Sequence, residues 1–236
     1  MTSVAMLLTV VSLLMFVAPG PLYRLGYLGL AGAFAVLKWA LYAGLGALVL
    51  AVLAVVVAAS RGSGMAAPLT AVVAVLLVFA MPAVLVRRAS RAPRIHDITT
   101  DTDHPPSFVA VLSLRASAPN PAVYGGPEIA AQQHQGYADL TPLVLGVPPD
   151  QAFNRALAVA RKMGWEIVAS DPASGRIEAT DTTFWFGFKD DIVVRIAAAP
   201  GGSRVDVRSV SRVGLGDVGT NAARIRKYLS ELKAAS

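Results

Sequence analysis

Hydrophobic and polar positions divide this chain near residue 86 into two parts with different patterns. The first part holds three long apolar runs, at residues 4–18, 39–59 and 66–86. A helix needs about 20 apolar residues to cross the hydrocarbon core of a bilayer. The second and third runs meet that length; the first is short and ends at Pro19-Gly20-Pro21. Residues 25–37 are apolar but interrupted by glycines, and either lie at the interface or lengthen the second helix by tilting. Lys38 and Trp39 are placed as an interfacial anchor pair. Pro68 lies near the start of the third run, and Pro82 predicts a kink within it. The pattern predicts three transmembrane helices within residues 1–86.

Beyond residue 86 the pattern becomes irregular and then amphipathic. Pro105-Pro106, Pro119, Pro121 and Gly125-Gly126-Pro127 punctuate residues 87–141 too often for long helices. Phe108, Val109, Val111 and Leu112 give that stretch something to bury, so it reads as an ordered wrap or arm. Regular structure is expected over residues 142–236. It opens with a short strand at 143–147, then a helix capped by Asp150, with Phe153, Ala156, Leu157, Ala160 and Met163 on one face. Gly164 stops that helix. Strands follow at 165–169 and 176–183, then a hairpin of 190–199 and 203–213 across Pro200-Gly201-Gly202. A last helix, starting near Asp217, carries Val218, Ala222, Ile225, Leu229 and Leu232 on one stripe. The class is α+β: an antiparallel sheet of about four strands with two helices packed on one face.

Charge sharpens the division. Hydrophobic residues make up 55% of the chain, which alone would fit one large soluble domain. Yet all 15 acidic residues lie at or beyond Asp97, while residues 1–86 hold only Arg24, Lys38 and Arg61. A charge in hydrocarbon costs about 2.5–3.5 kcal/mol on the lenient insertion scale, so a membrane segment avoids carboxylates in this way. Met1-Thr2-Ser3 lacks the positive region of a cleaved signal peptide. With three spans, Arg24, Lys38, Arg87, Arg88, Arg91 and Arg94 share one side and Arg61 the other. The positive-inside rule then places the C-terminal domain in the cytoplasm of a cell whose inner (plasma) membrane holds the anchor. The absence of cysteine excludes a disulfide framework, a thiol nucleophile and cysteine-ligated zinc.

Candidate chemistry is sparse. His96, Asp97, Asp101, Asp103 and His104 are of metal-ligating type, but their spacing matches no defined metal motif, and turn formation explains the composition. No cofactor is implied. Lys189-Asp190-Asp191 invites an acid/base reading, yet adjacent strand residues point to opposite faces and cannot form a dyad. One of the two acids is expected to meet Arg208 or Arg212 across the sheet in a bidentate pair, fixing strand register. An anion pocket built from Arg208 and Arg212 is the alternative. Residues 214–219 read G-x-G-x-x-G, but on an antiparallel element, so a strand-to-helix turn with Asp217 as N-cap is preferred to a phosphate loop. Phe184, Trp185, Phe186 and Phe188 form an aromatic run, either core or a lipid-facing surface. The basic cluster at residues 87–94 and Arg224, Arg226, Lys227 and Lys233 could rest on anionic headgroups. No nucleic-acid-binding motif is present.

The segments IHDITTD, HPPSF, GYADLTPL, GRIEATD, WFGFKDDIVVRI and SRVDVRSVSRVGLGDVGTNAARIRKYL resemble the family known as domain of unknown function 1499, over residues 95–232. The chain departs from the family pattern at Ala138, where proline is expected before Asp139. The resemblance implies signature positions at Lys189, Asp190, Asp191, Arg208, Ser209, Ser211, Arg212, Gly214, Asp217, Gly219, Asn221 and Arg224. It implies N-terminal membrane helices in similar members, and no established activity. Relatives resembling exported lipoproteins and plastid lumen proteins imply a periplasmic domain, in conflict with the charge count.

These readings lead to two functional expectations. The first is a membrane-proximal binding or scaffolding module for a membrane-protein partner or an apolar or lipid ligand. The second is a hydrolase using Asp190 or Asp191 with His96 or His104, with or without a metal.

Overall fold

A computed structural model of the protein describes residues 1–235, apart from the side chains of Met81 and Arg88. The part expected of the Arg88 side chain in the basic cluster, and of Ser236 as the last domain residue, falls outside the described residues. The chain divides into two compact units. One is Met1–Arg87 with Phe184–Gly187; the other is Arg88–Thr183 with Phe188–Ser236.

The first unit is helical: α1 (Thr2–Val17), α2 (Pro19–Arg24), α3 (Leu30–Ser60) and α4 (Ala66–Ala89). Three segments are long and apolar enough to span a membrane, Thr2–Arg24, Leu30–Ser60 and Ala66–Arg87. Pro19 does not end the first span. It sits at the first position of α2, where its missing N–H costs no hydrogen bond, so the apolar segment continues to Arg24. Residues from Leu30 onward join α3.

Packing inside this unit is inverted relative to a water-soluble core. The buried positions of α3 are Ala33, Ala40, Gly44, Ala47, Ala51, Ala54 and Ala58, a stripe of small residues. Ala5 of α1 and Ala71 of α4 meet Ala51. Ser12 Oγ donates to the Ala40 carbonyl at 2.8 Å. A Cβ on Gly44 would lie 2.7 Å from the Phe79 ring. The large side chains Leu7, Leu14, Val49, Val73 and Leu77 point outward. Small residues inside and large aliphatic ones outside suit helices whose solvent is lipid, since only close backbone approach then favours association.

The second unit is built on a six-stranded antiparallel sheet in the order β1-β6-β5-β4-β3, with β2 also on β6. The strands are β1 (Asp97–Thr99), β2 (Leu143–Leu145), β3 (Glu166–Asp171), β4 (Arg176–Thr182), β5 (Lys189–Ala199) and β6 (Gly202–Ser211). The four long strands are those the alternation predicts; β1 and β2 share the outer edge of β6 end to end. Helices α6 (Pro149–Lys162) and α7 (Thr220–Ala234) cover one face. Their apolar residues enter one core with Ile192, Val194, Ile196, Val205 and Val207. Trp165 stacks on Tyr228 at 4.8 Å between ring centroids, and Tyr228 Oη donates to the Ala156 carbonyl.

Helix α6 starts at Pro149, with Pro148 as N-cap, so Asp150 lies in the first turn rather than capping it. The other sheet face carries Val193 and Val210. It is covered by the arm through Phe108 and Val111, the latter in a 3-10 turn at Ala110–Arg115. Residues 127–136, expected to be irregular, form α5 (Pro127–Gly136). Its buried Gln133 accepts from Thr99 N–H at 2.9 Å and donates to the Thr99 carbonyl at 2.6 Å. A side-chain amide thereby satisfies the backbone groups an edge strand would otherwise expose.

Candidate functional site

Adjacent strand residues point to opposite faces, and this rule separates Asp190 from Asp191. On the helix-covered face, Asp190 lies opposite Ser211 on β6 and Asp181 on β4. Arg224 of α7 reaches into this group. Its Nη2 donates to Asp190 at 2.6 Å, its Nε to Asp181 at 2.8 Å, and its Nη1 to Ser209 Oγ at 3.1 Å and to Asn221 Oδ1. Asn221 accepts from Ser209 and donates to Ser211 Oγ and to the His96 carbonyl. Asp190, Ser209, Ser211, Asn221 and Arg224 are all buried. The cluster clamps α7 to the sheet.

On the arm-covered face, Arg212 grips Asp191 with two parallel hydrogen bonds of 2.9 and 2.8 Å. Thr180 Oγ1 donates to the same carboxylate, and Arg212 Nη1 donates to the Leu114 carbonyl of the arm. Arg208 forms the same fork with Asp97, at 2.9 and 2.7 Å, and donates to the Pro106 and Ala122 carbonyls. Its guanidinium also lies over the Phe108 and Tyr124 rings. Glu178 accepts from the N–H groups of Val109, Ala110 and Val111, fixing the 3-10 turn. The arm is thus held by charge-assisted bonds, the strongest class available between neutral backbone and protein side chains. Both Arg208 and Arg212 are paired with carboxylates of this chain.

Several participants left little signal in the sequence. Arg115, from the 3-10 turn, is buried with Nη1 3.3 Å from Asp191 Oδ2. That approach lacks hydrogen-bond geometry: Arg115 Nε and Nη1 have no hydrogen-bond partner, while Nη2 donates to the Asn120 and Pro121 carbonyls. Burial pulls the Arg115 pKa below the usual value; Asp191 opposes this, and Arg212 and Arg208 add to it. Burial, then the Asp97 charge, push the Tyr124 hydroxyl up to about 12. A further network joins Arg195 and Arg204 to Asp101 and Asp206. Its alternation, Arg204, Asp206 and Arg208 on one side of β6, was readable; its partners in the arm were not.

Residues 214–219 form a cradle for the chain entering from α4. A Cβ on Gly216 would lie 3.3 Å from Arg94 Cα, and one on Gly136 would lie 2.8 Å from the Pro93 ring. Asp217 N–H donates to the Ile95 carbonyl, and Ser211 N–H to the His96 carbonyl. Helix α7 begins at Thr220, with Gly219 as N-cap in the left-handed conformation at φ +80°. Asp217 is therefore not the N-cap. Its carboxylate reaches forward instead, accepting from the N–H groups of Gly219 and Asn221 at 2.9 and 2.7 Å. Burial raises the Asp217 pKa against those two bonds, and the Asp190 charge adds to the rise. Lys189 is exposed, and its carbonyl accepts from Arg212 N–H.

The stretch from His96 to His104 is spread among separate tasks. Asp97 pairs with Arg208, and Asp101 with Arg195 and Arg204. Asp101 also accepts from His104 N–H at 2.9 Å, which is a local turn. Asp103 and His104 are exposed. Among the described residues, no group of three or more His, Asp or Glu side chains is arranged to hold a metal ion. Asp190 and Asp191 lie on opposite faces, each paired with an arginine.

No curated protein matches the chain. A family model described as "Protein of unknown function (DUF1499)" matches residues 97–232, from the first residue of β1 into the last turns of α7. That range covers more than half of the sequence and includes both arginine–carboxylate clusters and the glycine cradle, so the chain belongs to the DUF1499 family.

Proposed function

We propose that this is an integral membrane protein whose C-terminal domain is a binding or scaffolding module for a membrane-proximal protein or an apolar or lipid ligand. The observation that carries this reading is the state of the signature side chains. Asp190, Asp191, Arg208, Arg212 and Arg224 are buried or nearly so and engaged with one another or with Asp97 and Asp181. Groups held this way fix a shape; none is presented to a substrate. What the domain offers outward includes the apolar side chains Val109, Leu112, Leu114, Val123 and Leu215. Exposed apolar residues of this kind suit contact with a partner or lipid where they gather into a patch.

The hydrolase reading has weaker support, because Asp190 and Asp191 lie on opposite faces of the sheet and each is engaged by an arginine. By the charge rule the module faces the cytoplasm of a bacterial-type inner membrane, with the periplasm as the alternative. The test uses the full chain in nanodiscs of neutral lipid, with and without anionic lipid, following domain unfolding. A module that rests on anionic headgroups through the exposed Arg91, Arg94, Lys227 and Lys233 unfolds at higher temperature with anionic lipid; Arg224, expected in that set, is instead buried against Asp190 and Asp181, and Arg226 is paired with Asp139. An identical midpoint in both removes the anionic-lipid form of the reading.

A further inference from the structure

The segment Phe184–Gly187 belongs to the helical unit although it lies in sequence between β4 and β5. Its neck is closed by Thr183 N–H donating to the Phe188 carbonyl at 2.8 Å. Beyond the neck, Trp185 Nε1 donates to the Val17 carbonyl at 3.0 Å, satisfying one of the carbonyls left free where α1 ends. Gly20 lies beneath the indole, and a Cβ there would fall 2.5 Å from Trp185 Cδ1. Phe186 stacks on Phe34 at 5.9 Å and meets Tyr23 edge-on at 5.8 Å. Arg24 Nη1 donates to the Phe184 carbonyl at 3.1 Å. This seat is specific, and it turns the one remaining aromatic side chain outward: Phe184 is 93% exposed.

The same end of the helical unit exposes Leu25 at 70% and Tyr27 at 76%. These residues occupy the turn between the two candidate spans Thr2–Arg24 and Leu30–Ser60. A turn between two spans lies at the level where the chain leaves hydrocarbon, the level at which aromatic side chains concentrate. Resting on the membrane-spanning reading of the helices, we infer that Phe184–Gly187 is an interfacial wedge. Phe184, with Leu25 and Tyr27, inserts among phospholipid acyl chains just below the headgroups. The occupant is lipid because this apolar surface continues the outward-facing aliphatic surface of α1 and α3. Trp185 and Phe186 are the part that docks, and Phe184 the part that inserts.

The chain has no cysteine, so single sites can be labelled cleanly. The test places a fluorophore at Phe184→Cys, at Leu53→Cys within the apolar run of α3, and at Ser170→Cys on β3. Each full-length variant is reconstituted in phosphatidylcholine nanodiscs. Nitroxide-bearing lipids, shallow or deep, and aqueous iodide then compete as quenchers. A side chain about 5–10 Å below the surface should lose at least about half of its fluorescence to the shallow nitroxide, and less to the deep one or to iodide. That is the result expected at Phe184, with deep quenching at Leu53 and iodide quenching at Ser170. If position 184 follows Ser170, the wedge is wrong while the membrane reading stands. Protection at 184 from all quenchers would assign the surface to a protein or a second copy, and also overturns the proposal. Absence of nitroxide quenching at Leu53 would remove the membrane reading, and the wedge with it.

Discussion

Arg224 joins the buried Asp190, Ser209 and Asn221 and the half-buried Asp181, so removing it strands the Asp190 carboxylate away from water. Breaking a buried pair from one side costs about 3–5 kcal/mol. Arg224→Met and Asp190→Asn should each destabilise the second unit by that order in urea unfolding, followed through Trp165. The double variant should cost clearly less than the two added, because the partner left behind is then neutral.

Two carboxylates predict pH dependences of opposite sign. Asp217 has its folded pKa raised, so the folded state holds its proton longer than the unfolded state. Stability should fall as pH rises from the usual carboxylate range through that raised value, and Asp217→Asn should remove this fall. Asp101 is lowered: burial raises it, but His104 N–H and the Arg195 and Arg204 guanidiniums outweigh burial. Its contribution is present above the usual carboxylate range and is lost as pH falls through the lowered value. Asp101→Asn should flatten that acid limb, as read by unfolding midpoints across pH.

The opposed faces of Asp190 and Asp191 were legible, because strand alternation is a local rule. Arg212 was one of the two partners expected for one of the acids, and it holds Asp191; Arg224 as the partner of Asp190 was not legible. The partner residue lies on a different element, and only the register and the phase of α7 decide which guanidinium arrives. Arg115 was hidden altogether, in an arm whose turns follow no period.

At the scale of elements, the four long strands and both covering helices follow from periodicity. Of the two short strands on β6, β2 was expected within 143–147 and β1 was not. Three residues are too few to show alternation, and β1 gains its place through Gln133 and through backbone bonds to β6. The glycines of residues 214–219 read correctly as a turn, but their main task is to admit residues 92–96. A contact between segments more than a hundred residues apart leaves no local trace. A second close approach to the same segment, that of Gly136 to Pro93, gives a direct prediction. Gly136→Ala puts a methyl group against the Pro93 ring, and overpacking of that kind costs about 1–3 kcal/mol. Hydrogen exchange should quicken at Ile95 and Asp97 in this variant. Gly146→Ala, where a Cβ meets nothing within 4 Å, is the matched control.

For the whole molecule, the proposed arrangement has three spans with the domain on the side where Arg24, Lys38, Arg87, Arg91 and Arg94 lie. The three long apolar helices were visible in the sequence, in runs that hold no carboxylate before Asp97. Their internal packing was visible only once Ala40, Gly44, Ala47 and Ala51 were seen to face inward. The most direct test places single cysteines at Ser63, between α3 and α4, and separately at Ser170, on β3. Intact spheroplasts are then treated with a membrane-impermeant maleimide. The account predicts labelling at Ser63 alone, with Ser170 reacting only after lysis. Labelling of Ser170 in intact spheroplasts would contradict it and move the domain, and any partner, to the other side of the membrane.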